Sequence, residues 1–565
     1  MFGFGKTSKD ALTDTKSAER WLASLPANDL LGLHAAVLVE LGALTEGSAR
    51  RTPARLAALF HVDGSCDQLR RGLIAQYLEH GSRSARVENQ LWQALFDLTQ
   101  GFLLCYQAFA KEASHYPAAH SKWRPQMATL VARQITHLGI DAKIRLYRYE
   151  QWIPGRWAEL YSLFGMACSE QIERKPVAAM TPGSFTTIEQ EFLQTLLIQL
   201  VNSGNLSPRH VEWAAEQLAH WCVPLRLSLE PPSAMTFYVD LASRAGLRRR
   251  GPQPLEGHVL FLDTRPLHAV MLQNIVMLEQ RVREDPLSER TSRLADQLVL
   301  FNKLATQVDP EFRPMKRRGE RTSASGSVDA IVGLAKIAGF LRDAETHSTG
   351  HAGTQTHTFD DSLEIATFGR VRNENARIVD VARQRLASFA SPGGAWEIRD
   401  VSQTGLRIIA PMTAMSRVTL GTLVALREHT KTTWTLGVVR RMKRQTAERA
   451  DIGMQIIAND IAIADLEEQK RAEVDYITDG LATTVSNRRI EALSLSLKKQ
   501  DGEAAVRTVV VAASDYKPGK RYLMTIDGGS HRVVFGRLLE QSSDWVWATV
   551  DTPDSVTAGS RTASK

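Results

Sequence analysis

Residues Trp396–Ile409 read WEIRDVSQTGLRII. Two β-like runs, Trp396–Arg399 and Leu406–Ala410, flank Asp400-x-Ser402-x-x-Gly405, a cluster of turn-forming residues. A short turn between two strands brings an acidic and a hydroxyl side chain to the surface side by side. Asp400 can accept charge-assisted hydrogen bonds there. Ser402 adds an adaptable donor and acceptor. Gly405 allows either a positive φ or a close backbone approach. The same residues also suit an Asx or Ser/Thr turn that merely tightens a hairpin.

Working outward, short β-branched runs continue at Val328–Leu334, Leu423–Arg427, Trp434–Arg440 and Ile452–Ile457. Their spacing predicts a small antiparallel barrel or sandwich. A second β group follows at Val506–Ala512, Arg521–Ile526, His531–Leu539 and Trp545–Val550, with a polar tail from Thr552. Upstream, the periodicity changes to helical. Thr187-Ile188-Glu189-Gln190 fits a capping box. Phe192, Leu193, Leu196, Leu197 and Leu200 then share one face. Similar stretches run over Ala18–Leu25, Leu30–Leu44, Gln90–Ala108 and Gln126–Leu138, and helix returns from His268 to about Val308. The fold class expected is multidomain α plus β, with an all-α N-terminal domain, an antiparallel β-barrel and a further β-rich domain. The boundaries read as 1–230 helical, 231–310 a mixed α/β connector, 311–460 the barrel with a polar insertion near 340–390, and 461–565 β-rich. Residues 343–360, DAETHSTGHAGTQTHTFD, lack any hydrophobic period and read as a mobile loop.

Composition bounds the function. The 565 residues are 43% hydrophobic and 23% charged, with a net charge of +7, so several cores can form and an anionic partner is permitted without being demanded. The four cysteines fit no metal or disulfide spacing and read as buried thiols. His347, His351 and His357 fall in a Ser/Thr/Gly loop that offers a metal no ordered support, so no metal is expected. Gly3-Phe4-Gly5-Lys6-Thr7 lacks the leading glycine and strand of a phosphate loop. No nucleophile elbow, HExxH or kinase set is present, so no catalytic residue and no enzyme is expected. Arg145, Tyr147, Arg148, Tyr149, Trp152, Arg156 and Trp157 interleave charge with aromatics, as a single-strand grip would; inward packing on an amphipathic helix fits them better. With no apolar leader and no long apolar window, the chain reads as a cytoplasmic protein without a membrane span.

The strand–DxSxxG–strand pattern at Asp400, Ser402 and Gly405 resembles the PilZ family, a small β-barrel with [D/N]xSxxG between two strands. WTLGVVR at Trp434–Arg440 and IGMQI at Ile452–Ile456 look like its closing strands. The resemblance covers roughly 311–460, and the helical half resembles no family. It implies a non-catalytic receptor for cyclic di-GMP, with no other cofactor. Asp400 would accept from a guanine N1–H and N2–H₂ pair. The family's second signature, RxxxR before the first strand, would clamp phosphates and the guanine Hoogsteen edge. Arg244/Arg248, Arg313/Arg317, Arg317/Arg321 and Arg440/Arg444 all fit the spacing. Context selects Arg317 and Arg321, followed by a turn, SASGS, and then VDAIVGL, with Arg318 adding charge. The long insertion before Asp400 is tolerable, since closing a longer surface loop costs only about 0.6 kcal/mol per doubling. The helical domain would pass the bound state to a protein partner. Two alternatives stand beside this reading. One is an adapter that has lost the nucleotide. The other, less favoured because the basic patches are separated, is nucleic-acid binding through Arg248–Arg250 and Arg440–Arg444.

Overall fold

Thr187 starts its helix by the expected reciprocal bonds: its hydroxyl accepts from the Gln190 N–H at 3.2 Å, and the Gln190 side chain accepts from the Thr187 N–H at 3.0 Å. This is one helix of the first of two units, Met1–Met315 and Lys316–Lys565, seen in a computed structural model. The structure describes residues 10–551 except 27, 47–50, 80–84, 116–121, 203, 234–235, 252–254, 256, 285–288, 313–320, 351–385, 387, 390–395, 403, 430–432, 469–488, 498–505 and 527.

The first unit is built from α1 (Thr15–Ala23), α2 (Leu30–Glu46), α3 (Pro53–Ser65), α4 (Asp67–Leu78), α5 (Ala85–His115), α6 (Met127–Leu146), α7 (Pro154–Ser169), α8 (Ile188–Val201), α9 (Pro208–Trp221), α10 (Arg265–Glu284) and α11 (Glu289–Val308). The helical reading from His268 to about Val308 corresponds to α10 and α11. Two short strands, β1 (Val177–Ala178) and β2 (Phe185–Thr186), form a ribbon, and β3 (Leu227–Ser228), β4 (Phe237–Asp240), β5 (Arg248–Arg249) and β6 (Val259–Leu262) form a sheet ordered β3-β6-β4-β5. Leu227, Phe237 and Leu262 of this sheet are buried in the same core as the helices.

The basic-aromatic stretch packs inward. Tyr147, Trp152 and Trp157 are buried, and the Trp152 indole donates to Asp141 at 2.8 Å. Arg249 in β5 donates to the carbonyls of Thr306, Gln307 and Asp309 at 3.2, 2.6 and 3.2 Å. It thereby satisfies orphan acceptors at the C-terminus of α11.

The second unit holds two closed antiparallel barrels. β7 (Thr322–Val332), β8 (Trp396–Ser402), β9 (Gly405–Pro411), β10 (Leu423–Glu428), β11 (Thr435–Arg444) and β12 (Arg449–Ala458) close in the order β10-β11-β12-β9-β8-β7. β13 (Ala462–Glu468), β14 (Arg489–Leu497), β15 (Val506–Ala512), β16 (Arg521–Ile526), β17 (Gly529–Gln541) and β18 (Trp545–Asp551) close as β13-β14-β15-β18-β17-β16. One apolar cluster joins the barrels, with Leu423, Trp434, Leu436 and Val438 from the first and Ile463, Leu493, Leu495, Val510 and Trp545 from the second. The Trp545 indole donates to the Gly421 carbonyl at 2.8 Å. Arg440 grips Glu540 with both Nη atoms at 2.5 and 2.6 Å, so this member of a basic strip is spent between the barrels.

Three local readings need correction. SASGS is not a turn but the start of β7, paired to β8 through a register shift between Ser323 and Gly326. The start of the stretch read as a loop is helical, because α12 (Leu334–Gly350) extends to residue 350; residues 351–360 lie outside the described residues. Strands β13 and β14 are additions that the spacing of β-branched runs did not show.

Candidate functional site

The β8–β9 hairpin carries the site. Its last register pair is Ser402↔Gly405, and the next outward pairs are Val401↔Leu406 and Asp400↔Arg407. The Ser402 hydroxyl donates to the Gly405 carbonyl at 3.1 Å, closing the turn. Of the two reasons for a glycine at 405, close approach is the one realised. A Cβ there would lie 3.2 Å from the Met454 carbonyl oxygen and 3.4 Å from Ser402 Oγ, and φ is not in the left-handed region. The carbonyl belongs to β12, which pairs with β9 along this stretch, and cannot step aside cheaply. Gly405→Val should therefore destabilise the second unit by about 1–3 kcal/mol through overpacking, and Gly405→Ala by less. A denaturant melt of both variants checks this, and equal midpoints with the parent would show that β12 yields.

Asp400 is the electrostatic centre. Arg321, immediately before β7, places Nη1 at 2.5 Å from Asp400 Oδ1. These two residues are 79 positions apart in the chain. They meet because Thr322 pairs with Val401 and Ser323 with Asp400 across β7 and β8. The pair is solvent-accessible, with the Arg321 side chain 33% and that of Asp400 16% exposed.

On the other side stands Arg407, whose Nη1 is 3.9 Å from Asp400 Oδ2. Its Nε and Nη2 form a fork on the Asp451 carboxylate of β12, at 3.0–3.1 and 2.6 Å. Hydrogen bonding to Asp451, then the charges of Asp451 and Asp400, raise the Arg407 pKa above its ordinary value, so it stays a cation. Arg407 and Asp451 were not read from sequence. The available signal was the hairpin register itself: once Ser402 pairs with Gly405, Asp400 must face Arg407.

Arg321, Asp400, Ser402 and Gly405 are thus gathered on one hairpin and the strand beside it. Arg317 and Arg318 lie outside the described residues, as do the side chains of His347, His351 and His357. Among the described residues no cluster of His, Cys, Asp and Glu could hold a metal ion, and no helix is long and apolar enough to cross a membrane. What the site offers is a carboxylate flanked by two guanidiniums, with a hydroxyl at the turn below. Such a surface suits a ligand bearing both paired N–H donors and negative charge.

Two family models match the chain. One, described as cyclic-di-GMP receptor FimW, N-terminal domain, covers residues 16–233. The other, described as cyclic-di-GMP receptor FimW, middle PilZ domain, covers residues 345–462. Asp400, Ser402, Gly405, Arg407 and Asp451 fall inside the second span, and Arg321 falls before it. No curated protein and no solved structure matches.

Proposed function

We propose that the chain, whose residues 345–462 match a PilZ-domain model, is a non-catalytic cytoplasmic receptor that binds cyclic di-GMP at its first barrel and relays the bound state through its helical domain to a protein partner. Both matched models describe cyclic-di-GMP receptors. The observation that carries the binding reading is the meeting of Arg321 with Asp400 across the long insertion. An upstream arginine beside the DxSxxG carboxylate is what a joint phosphate and guanine site requires. In this reading Arg317 and Arg321 grip phosphates and the Hoogsteen edge, and Arg318 adds charge beside them. Asp400 accepts from guanine N1–H and N2–H₂, Ser402 adjusts to the base, and Gly405 lets the strands close behind it.

The test is calorimetric titration of the whole protein with cyclic di-GMP at near-physiological salt, beside a thermal melt. Heat of binding and a raised melting temperature are expected at ~100 μM nucleotide. Silence in both would favour an adapter that has lost the nucleotide, in which the Ser402 turn and the Arg321–Asp400 pair serve only to close the hairpin.

A further inference from the structure

We infer that Arg407 is a positioning residue for nucleotide selection: held by Asp451, it keeps Asp400 aimed when Arg321 turns to a phosphate. The inference rests on the nucleotide reading above and deepens it.

The need arises from the geometry of the Arg321–Asp400 pair. Arg321 spends an N–H on Asp400 Oδ1. A carboxylate that reads the N1–H and N2–H₂ edge of guanine must present both oxygens to the base. A guanidinium that grips a phosphate bidentately must likewise present a free edge. In the complex as proposed, Arg321 turns its guanidinium from Asp400 to a phosphate. The exchange would leave Asp400 without its closest cation.

Arg407 is placed to fill that gap. It stands directly opposite Asp400 in the β8–β9 register. Its fork on Asp451 fixes the guanidinium plane, and Asp451 is a firm anchor because its side chain is only 9% exposed. With Nε and Nη2 committed, Nη1 remains directed at Asp400 Oδ2 from 3.9 Å. That is ion-pair range but beyond hydrogen-bond length. Arg407 therefore attracts and orients the carboxylate without occupying an acceptor site that the base needs. A lysine could not replace it: one ammonium at the end of a flexible stem cannot hold Asp451 by a fork and face Asp400 at once.

The experiment compares wild type, Arg407→Lys and Asp451→Asn, each titrated with cyclic di-GMP and with cyclic di-AMP, beside a thermal melt. Both variants should bind cyclic di-GMP roughly five- to ten-fold more weakly, with a smaller preference over cyclic di-AMP. Asp451→Asn is nearly isosteric, so it keeps the test readable if Arg407→Lys folds poorly. Wild-type affinity and preference in both variants would overturn the inference while leaving the nucleotide reading in place. An equal loss for both nucleotides, with the preference unchanged, would also overturn it. A wild-type protein that binds neither nucleotide would remove the nucleotide reading and this inference with it.

Discussion

Asp63→Ala is expected to destabilise the helical unit by about 3–5 kcal/mol, the largest effect of any substitution considered. Asp63 lies in α3 with no side-chain exposure. Tyr106 of α5 donates to it at 2.8 Å, His137 Nε2 of α6 stands at 3.0 Å, and Arg70 of α4 donates at 3.2 Å. Arg133 of α6 adds its charge at 3.6 Å. Three helices, α4, α5 and α6, are thus tied to a carboxylate carried by α3. Its removal would strand two guanidiniums that are each only 5% exposed, in a place where water cannot replace the lost anion. Arg70 Nε and Arg133 Nε already have no hydrogen-bond partner among the described residues. Asp63→Asn keeps the shape and should lose less. A denaturant melt followed by the helical circular dichroism signal reads the difference, and a cost near zero for Asp63→Ala would show that the site relaxes or floods.

The same cluster sets a pH dependence. Burial pushes the Asp63 carboxyl up, but His137, Arg133 and Arg70 together outweigh it and hold the group well below the carboxylate range. Burial pushes the His137 imidazole down, against the pull of Asp63. Both folded-state values are therefore lower than unfolded ones, and the unfolded chain binds more protons in acid. Stability is fully present above the unfolded histidine value of about 6.5 and should fall as pH drops below it. A second loss, from Asp63, should begin below about 3.9.

The first barrel was legible because its strands alternate and its turns carry the residues turns demand. The second was half legible. Ala462–Glu468, AIADLEE, consists largely of good helix formers, and pairing with β14 and β16 overrides that preference. Strand β14 hides for another reason: Ile490 and Ala492 point into the second barrel while Leu493 and Leu495 join the cluster between barrels, so both of its faces are buried. SASGS resembled a turn because Ser and Gly build turns; as an exposed strand entry it is held by pairing to β8 rather than by its own preference. Local spacing left several RxxxR candidates standing. Only the β7–β8 register brings Arg321 to Asp400, and only the β9–β12 packing brings Asp451 to Arg407. Neither is written in any short window.

Asp400→Ala should separate recognition from folding. If Asp400 reads a guanine edge, its loss removes a charge-assisted contact worth about 1.5–3 kcal/mol, which is roughly 10- to 150-fold in affinity for cyclic di-GMP. The loss should be selective. Adenine offers no matching N1–H and N2–H₂ pair, so binding of cyclic di-AMP should barely change and the preference should erode. Arg321→Ala should weaken both nucleotides by a similar factor where Arg321 grips a phosphate, and should erode the preference as well where it reaches the guanine Hoogsteen edge. The double variant should lose more than the sum of the two, because each single variant is already relieved of the cost of breaking the Arg321–Asp400 pair and that relief can be gained only once. Stability should move little in either, as a partly exposed ion pair contributes about 0–1 kcal/mol. Ser402→Ala should behave in the opposite sense, because its hydroxyl is bonded to the Gly405 carbonyl within the turn. There the cost of about 0.5–2 kcal/mol should appear in the melt before it appears in the titration. A lowered melting temperature for Asp400→Ala with nucleotide preference intact would return Asp400 to the role of a turn residue. The meeting of Arg321 and Asp400 would then be a hairpin clasp rather than half of a binding site.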